Sequence, residues 1–197
     1  MKFTRFWLVG LFCAAATAVY VFTAKADEES DKLKKPIREL AAAIAKDPKN
    51  KSLAKMAEKI AKMEAAEIDL IMVLFKLRSK GGLGVGDKPD SVKPDGIEQA
   101  IIALDRKPPS STALKENAKA WAQMAYDTAA ITKVIYNKHG LNKKKEIETW
   151  TKYCKEMEAK AIEFAKACTA KDATPASIQK AARALNNVCL NCHNDFR

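Results

Sequence analysis

Leu114, Ala118, Trp121, Ala125, Thr128, Ile131 and Ile135 recur at steps of three and four residues. That spacing places them on one face of an α-helix. The device returns in Ile147, Trp150, Cys154, Met157, Ala161, Phe164 and Cys168, and again in Ile178, Ala182, Leu185, Cys189, Cys192 and Phe196. An earlier stripe runs through Leu53, Met56, Ile60, Met63, Glu67, Leu70, Leu74 and Leu77. No strand-like alternation of useful length occurs anywhere. Four long amphipathic helices with mostly short connections predict an all-α, antiparallel four-helix bundle.

The breaks between stripes carry recognisable stop signals. Gly140 ends the second long helix, and Thr174-Pro175 reads as an N-cap followed by proline at the first helical position of the fourth. The first stripe ends at Gly81-Gly82, and four of the seven glycines lie between 81 and 86. The run GGLGVG lacks both a preceding strand and a following Gly-Lys-Ser/Thr, so it is read as a flexible linker and not as a phosphate loop. A short helix is expected from Ile97 to Leu104, ahead of Pro108-Pro109.

At the N-terminus, Lys2 and Arg5 precede an apolar run from Phe6 to Thr23, and Ala24-Lys25-Ala26 fits a small-x-small cleavage site. Residues 1–26 therefore read as an export signal, with the mature chain starting at Asp27 in the periplasm or an equivalent compartment. The alternative is an uncleaved membrane anchor. Residues 27–50 read as an N-terminal extension: a charged, frayed stretch to Lys35, then a short helix from Pro36 to Lys46. Residues 51–197 form the bundle. The formal charge is +11, and cleavage would remove Lys2, Arg5 and Lys25. The remaining excess is mostly lysine spread along helical faces. An exported chain with no basic–aromatic cluster argues against nucleic acid as partner.

The last stripe ends in Cys189-Leu190-Asn191-Cys192-His193. Three chemistries use such a fitting. In c-type haem attachment both thiols bond the porphyrin edge and the histidine ligates iron. A zinc site needs four ligands, and no second Cys/His pair is near in sequence. A thioredoxin-like dithiol belongs beside a βαβ pattern, which this chain lacks. An export signal fits the first chemistry best. On a helix, residues 189, 192, 193 and 196 are spaced i, i+3, i+4, i+7 and share one face.

Cys189-x-x-Cys192-His193-x-x-Phe196-Arg197 at a C-terminus resembles the class II c-type cytochromes, the cytochrome c prime family and its six-coordinate relatives. The resemblance spans roughly Ser52 to Arg197, with Trp150 adding support. It implies a four-helix bundle with one covalent haem c near the C-terminal end of the last helix. Cys189 and Cys192 would carry the haem and His193 would be the proximal iron ligand. Phe196 would cover the proximal side and Arg197 would meet a propionate. The family also places a basic residue early in its first long helix, and no arginine stands there; Lys55, Lys59 and Lys62 are the substitutes available.

Within that family an apolar distal side leaves iron open to a diatomic gas, whereas a methionine makes an electron carrier. The candidates here are Cys154 and Met63, with Met56 and His139 behind them. An antiparallel turn near 172–173 sets Cys154 level with residue 191 and Cys168 level with residue 177. The two thiols are thus about 21 Å apart along the helix, too far for a disulfide. Some class-II-like cytochromes pair histidine with cysteine at iron, which makes Cys154 the candidate distal ligand and Met63 the alternative. The expected function is therefore a mono-haem cytochrome binding nitric oxide or carbon monoxide. A pure electron carrier with a fixed sixth ligand is the alternative. No distal acid/base pair argues for an enzyme. A redox partner protein and a homodimer or a heterodimer with a related cytochrome are the partners implied.

Overall fold

The computed structural model describes residues 30–196; the expected leader and cleavage site, and Arg197, lie outside them. The described residues are helical, with a single isolated bridge, Leu77 to Gly96, in place of any sheet. The elements are α1 (residues 30–46), α2 (Ser52–Ala61), α3 (Ile68–Val73), a 3-10 turn (Arg78–Lys80), α4 (Ile97–Arg106), α5 (Ser111–Ile135), α6 (Lys144–Thr169) and α7 (Pro175–Phe196). No described helix is long and apolar enough to cross a membrane.

The three long helices α5, α6 and α7 follow the apolar stripes closely. Ser110 caps α5 by accepting the Ala113 N–H at 3.0 Å, which satisfies one of the donors a helix start leaves open. Thr128 and Thr132 occupy buried stripe positions because each hydroxyl donates to the carbonyl four residues back, Met124 and Thr128 respectively. The Lys133–Glu158 ion pair at 2.8 Å bridges α5 and α6. Phe164, Ala165 and Ala161 on α6, and Ile178, Ala182 and Leu185 on α7, are fully buried between the helices.

The first stripe does not form one long helix. Its residues divide between α2, a turn over residues 62–67, α3 and the segment that joins α3 to the 3-10 turn. Glu67 is extended, with φ −71° and ψ 145°, so the helical path is interrupted there. Two short helices bury Leu53, Ile60, Ile71 and Leu74 as completely as one long helix would. Periodicity alone does not register the break. α2 and α3 pack on α5, and α4 packs on α7.

Two further expectations are corrected. The charged stretch before Pro36 is helical from residue 30, and Pro36 sits inside α1. The helix holds because Leu33, Ile37, Leu40 and Ile44 are fully buried, and the Arg38 guanidinium lies 2.8 Å from Oδ2 of buried Asp127 on α5. The glycine run is not a flexible linker: residues 81–86 are all buried. A Cβ on Gly82 would lie 1.9 Å from the Lys76 carbonyl oxygen. Leu83 N–H donates to the Leu74 carbonyl and Gly82 N–H to that of Leu77. The glycines allow the backbone to pack on itself, which is a different use from mobility.

Candidate functional site at the end of the last helix

α7 starts on a reciprocal cap. The Ser177 N–H donates to Thr174 Oγ1 at 3.1 Å, and the Thr174 N–H donates to Ser177 Oγ at 3.0 Å. One flank is then fixed by Asp105 at the end of α4. Its carboxylate accepts from Arg183 Nε at 2.8 Å and Asn186 Nδ2 at 2.9 Å, and its backbone carbonyl accepts from Gln179 Nε2 at 3.0 Å. The Arg183 hydrogen bond holds the Asp105 carboxyl below the ordinary carboxylate range. The other flank is fixed by α6. The Tyr153 hydroxyl donates to Asp195 Oδ2 at 2.7 Å, and the Trp150 and Phe196 rings meet edge to face with centroids 5.3 Å apart.

This register sets Cys154 level with residues 192–194, one to three positions beyond the level read from the sequence. On α7, Cys192 is buried, and Cys189, His193 and Phe196 are half-buried. Leu190, between the two cysteines, is 51 % exposed. The four cysteines among the described residues are free. Burial pushes the Cys189 thiol up to about 12, with the nearby Cys192 adding to it. Burial, then Cys192, then Glu158 push Cys154 up to about 12 as well. Burial and then Asp195 also raise Cys192. Before any modification these thiols are protonated at neutral pH. Cys168 is raised to about 12 by burial alone and packs in the core far from the motif.

Trp150 carries the informative defect. It is 8 % exposed, and its Nε1–H, a donor-only group, is buried with no hydrogen-bond partner among the described residues. An unpaired buried donor costs about 1–3 kcal/mol, so this N–H, beside Phe196, is available to an acceptor from outside the chain, an ordered water included. The Trp150 ring also meets His139, with centroids 6.5 Å apart. His139 is half-buried at the end of α5, not a free surface histidine, and its Nδ1 accepts the Leu141 N–H at 3.1 Å. Met63 lies half-buried in the turn after α2, against the core. The Glu67–Lys138 ion pair at 3.9 Å draws the end of that turn toward the end of α5. Met56 is half-buried on α2.

The residues present fit a covalently held haem in donor chemistry. Among the described residues no three His, Cys, Asp or Glu side chains converge on one point. Thioether attachment does not ask for convergence, because the sulfurs bond carbon at the ring edge and only the imidazole addresses the metal. Cavities of about 270 Å³ and 470 Å³ open elsewhere, and neither is lined by a motif residue. Tyr153 and Asp195, which pin the motif, were not singled out in the sequence. The signal available was the register itself, since both lie at the level where α6 and α7 were expected to meet. No family model, curated protein or solved structure matches the chain.

Proposed function

We propose that this chain is a mono-haem c-type cytochrome of the class II kind, exported and matured outside the cytoplasm. Cys189 and Cys192 hold the haem through thioethers, and His193 is the proximal iron ligand. The observation that carries the reading is Cys189, Cys192, His193 and Phe196 on one face of α7, pinned on both flanks, with the orphaned Trp150 donor alongside. When bound, the haem supplies one-electron chemistry and an iron that takes a diatomic gas. The protein's part is to fix the ring edge, present one imidazole, and shield one face with Phe196. Trp150 donates its free N–H to an acceptor on the bound group.

In this reading α4 and the broken α2–α3 unit together take the fourth place of the bundle, α4 against α7 and α2–α3 against α5. The backbone joins them: the Glu98 N–H donates to the Phe75 carbonyl at 3.0 Å. Because no motif residue lines an open cavity, attachment displaces side chains at the end of the bundle. The sixth position is open or held by a displaceable residue, Cys154 first and Met63 second, and nitric oxide or carbon monoxide binds there. A pure electron carrier with that ligand fixed is the second reading, and Met63, half-buried against the core in the turn after α2, is what favours it. A redox partner protein and a paired chain belong to both readings, and neither assigns a catalytic residue.

Absorption spectra of ferric and ferrous protein, with and without carbon monoxide or nitric oxide, separate the two. Gas binding predicts new ferrous bands at stoichiometric gas. Spectra unchanged at saturating gas leave only the electron carrier.

A further inference from the structure

We propose that a cationic cavity between α1 and the glycine-rich loop binds a small organic or inorganic oxyanion, a phosphate or a carboxylate. The cavity has a volume of about 470 Å³ and is lined by Lys34, Lys35 and Arg38 on one side and by Arg78, Gly86 and Asp87 on the other. Four cations face one carboxylate across it.

The two guanidiniums are held in place. Arg38 places one nitrogen 2.8 Å from Asp127 Oδ2, out of line for a hydrogen bond, and donates another N–H to the Leu83 carbonyl at 3.3 Å. Arg78 donates Nε–H to Asp95 Oδ2 at 2.8 Å and an NH2 proton to the Gly86 carbonyl at 2.9 Å. Asp95 in turn accepts the Val85 and Asp90 N–H groups. The glycine run makes this possible. Gly84 sits at φ +72°, and a Cβ there would lie 2.3 Å from Arg78 Nε. The guanidinium therefore lies on bare backbone. Each guanidinium has five N–H donors, and these contacts leave several unspent on side chains that are 28 % and 24 % exposed.

Gathering four cations round one cavity is unfavourable unless anions offset them. Asp95 is held ionised beside Arg78, but Asp127, wholly buried, is pushed up to about 7 by burial. Arg38 is therefore only partly neutralised at neutral pH. Among the described residues, Lys34 is paired with exposed Asp31, at 2.7 Å. The volume is in the range of small-molecule sites, about 300–1,000 Å³, and exceeds what one bare oxyanion fills. Rigid forks suit planar or tetrahedral oxyanions, and the two lysines add adaptable charge. None of these residues belongs to the cysteine–histidine motif. Asp127, behind Arg38, is separated from the last α5 residue, Ile135, by about 12 Å of helix. The lining of this cavity therefore shares no residue with the motif.

The test is calorimetric titration of the mature chain with sodium phosphate and, separately, sodium succinate, at constant ionic strength in chloride. Saturable binding of either is expected, and the one that binds more tightly names the oxyanion. Lys34→Gln with Lys35→Gln should weaken it ten-fold or more while the helical circular dichroism and melting temperature stay unchanged. Lys152→Gln with Lys155→Gln, on the exposed side of α6, should leave it unaltered. Absence of saturable binding for both anions overturns the proposal. So does equal weakening by the α6 pair, which would reduce the effect to overall charge.

Discussion

The Tyr153 hydroxyl donates a 2.7 Å hydrogen bond to Asp195 Oδ2, joining α6 to the last turn of α7 two residues beyond His193. The same bond raises the Tyr153 phenol above its usual range. Together with the Trp150–Phe196 contact it anchors the only part of α7 that extends past the motif. Tyr153→Phe should leave the fold intact but speed amide hydrogen exchange over residues 190–196 relative to residues 178–188. Uniform exchange along α7 in the variant would show that the bond anchors nothing.

The glycine loop orders three substitutions by cost. Gly82→Ala meets backbone at 1.9 Å and Gly84→Ala meets the Arg78 side chain at 2.3 Å from a left-handed φ, whereas Gly140, at φ +57°, has nothing within 4 Å of a Cβ. Urea denaturation should rank them in that order. Gly82→Ala should lose about 3 kcal/mol or more and Gly140→Ala about 1 kcal/mol. Equal costs at Gly82 and Gly140 would contradict the packed loop.

Asp127 makes stability depend on pH. Burial raises its folded value from 3.8 to about 7, against the opposing pull of Arg38. Between those values the folded chain holds a proton that the unfolded chain has released. This group's contribution is therefore greatest below about pH 4 and falls as pH rises to about 7. Relative to Asp127→Asn, the parent should lose as much as about 4 kcal/mol over that window, measured by urea midpoints at stepped pH. Parallel curves for the two proteins would show that Asp127 is not buried as a carboxylic acid.

Cys154 and Met63 make different predictions for the iron. With Cys154 as the displaceable sixth ligand, Cys154→Ala should turn the ferric spectrum from low-spin to high-spin and raise the reduction potential. A thiolate favours the oxidised metal, so its loss moves the potential upward. Met63→Leu should change neither. The reverse pattern assigns the ligand to Met63, and a parent spectrum already high-spin assigns an open site.

The parts legible in the sequence are those governed by local spacing. The stripes from Leu114 to Ile135, Ile147 to Cys168 and Ile178 to Phe196 became α5, α6 and α7, because a long amphipathic repeat buries its apolar residues together only as a helix. The α6–α7 level followed from the short turn between them. What was not legible depends on contacts distant in sequence. The Leu53–Leu77 stripe keeps its period across the break at Glu67. The packing of residues 81–86 rests on Arg78, Asp95 and Arg38, none of which the glycines announce. Arg38 itself was hidden by its place ahead of the segment expected to form the bundle, although it reaches Asp127 in the middle of α5. At the motif, the spacing placed Cys189, Cys192 and His193 on one helix face. The unpartnered Trp150 N–H required coordinates.

The most direct measurement is the intact mass of the protein after export and maturation in a host that attaches haem to c-type cytochromes. The account predicts a chain beginning at Asp27 and carrying one covalent haem, with one thioether lost in Cys189→Ala and in Cys192→Ala. A polypeptide of unmodified mass recovered from that compartment would contradict it.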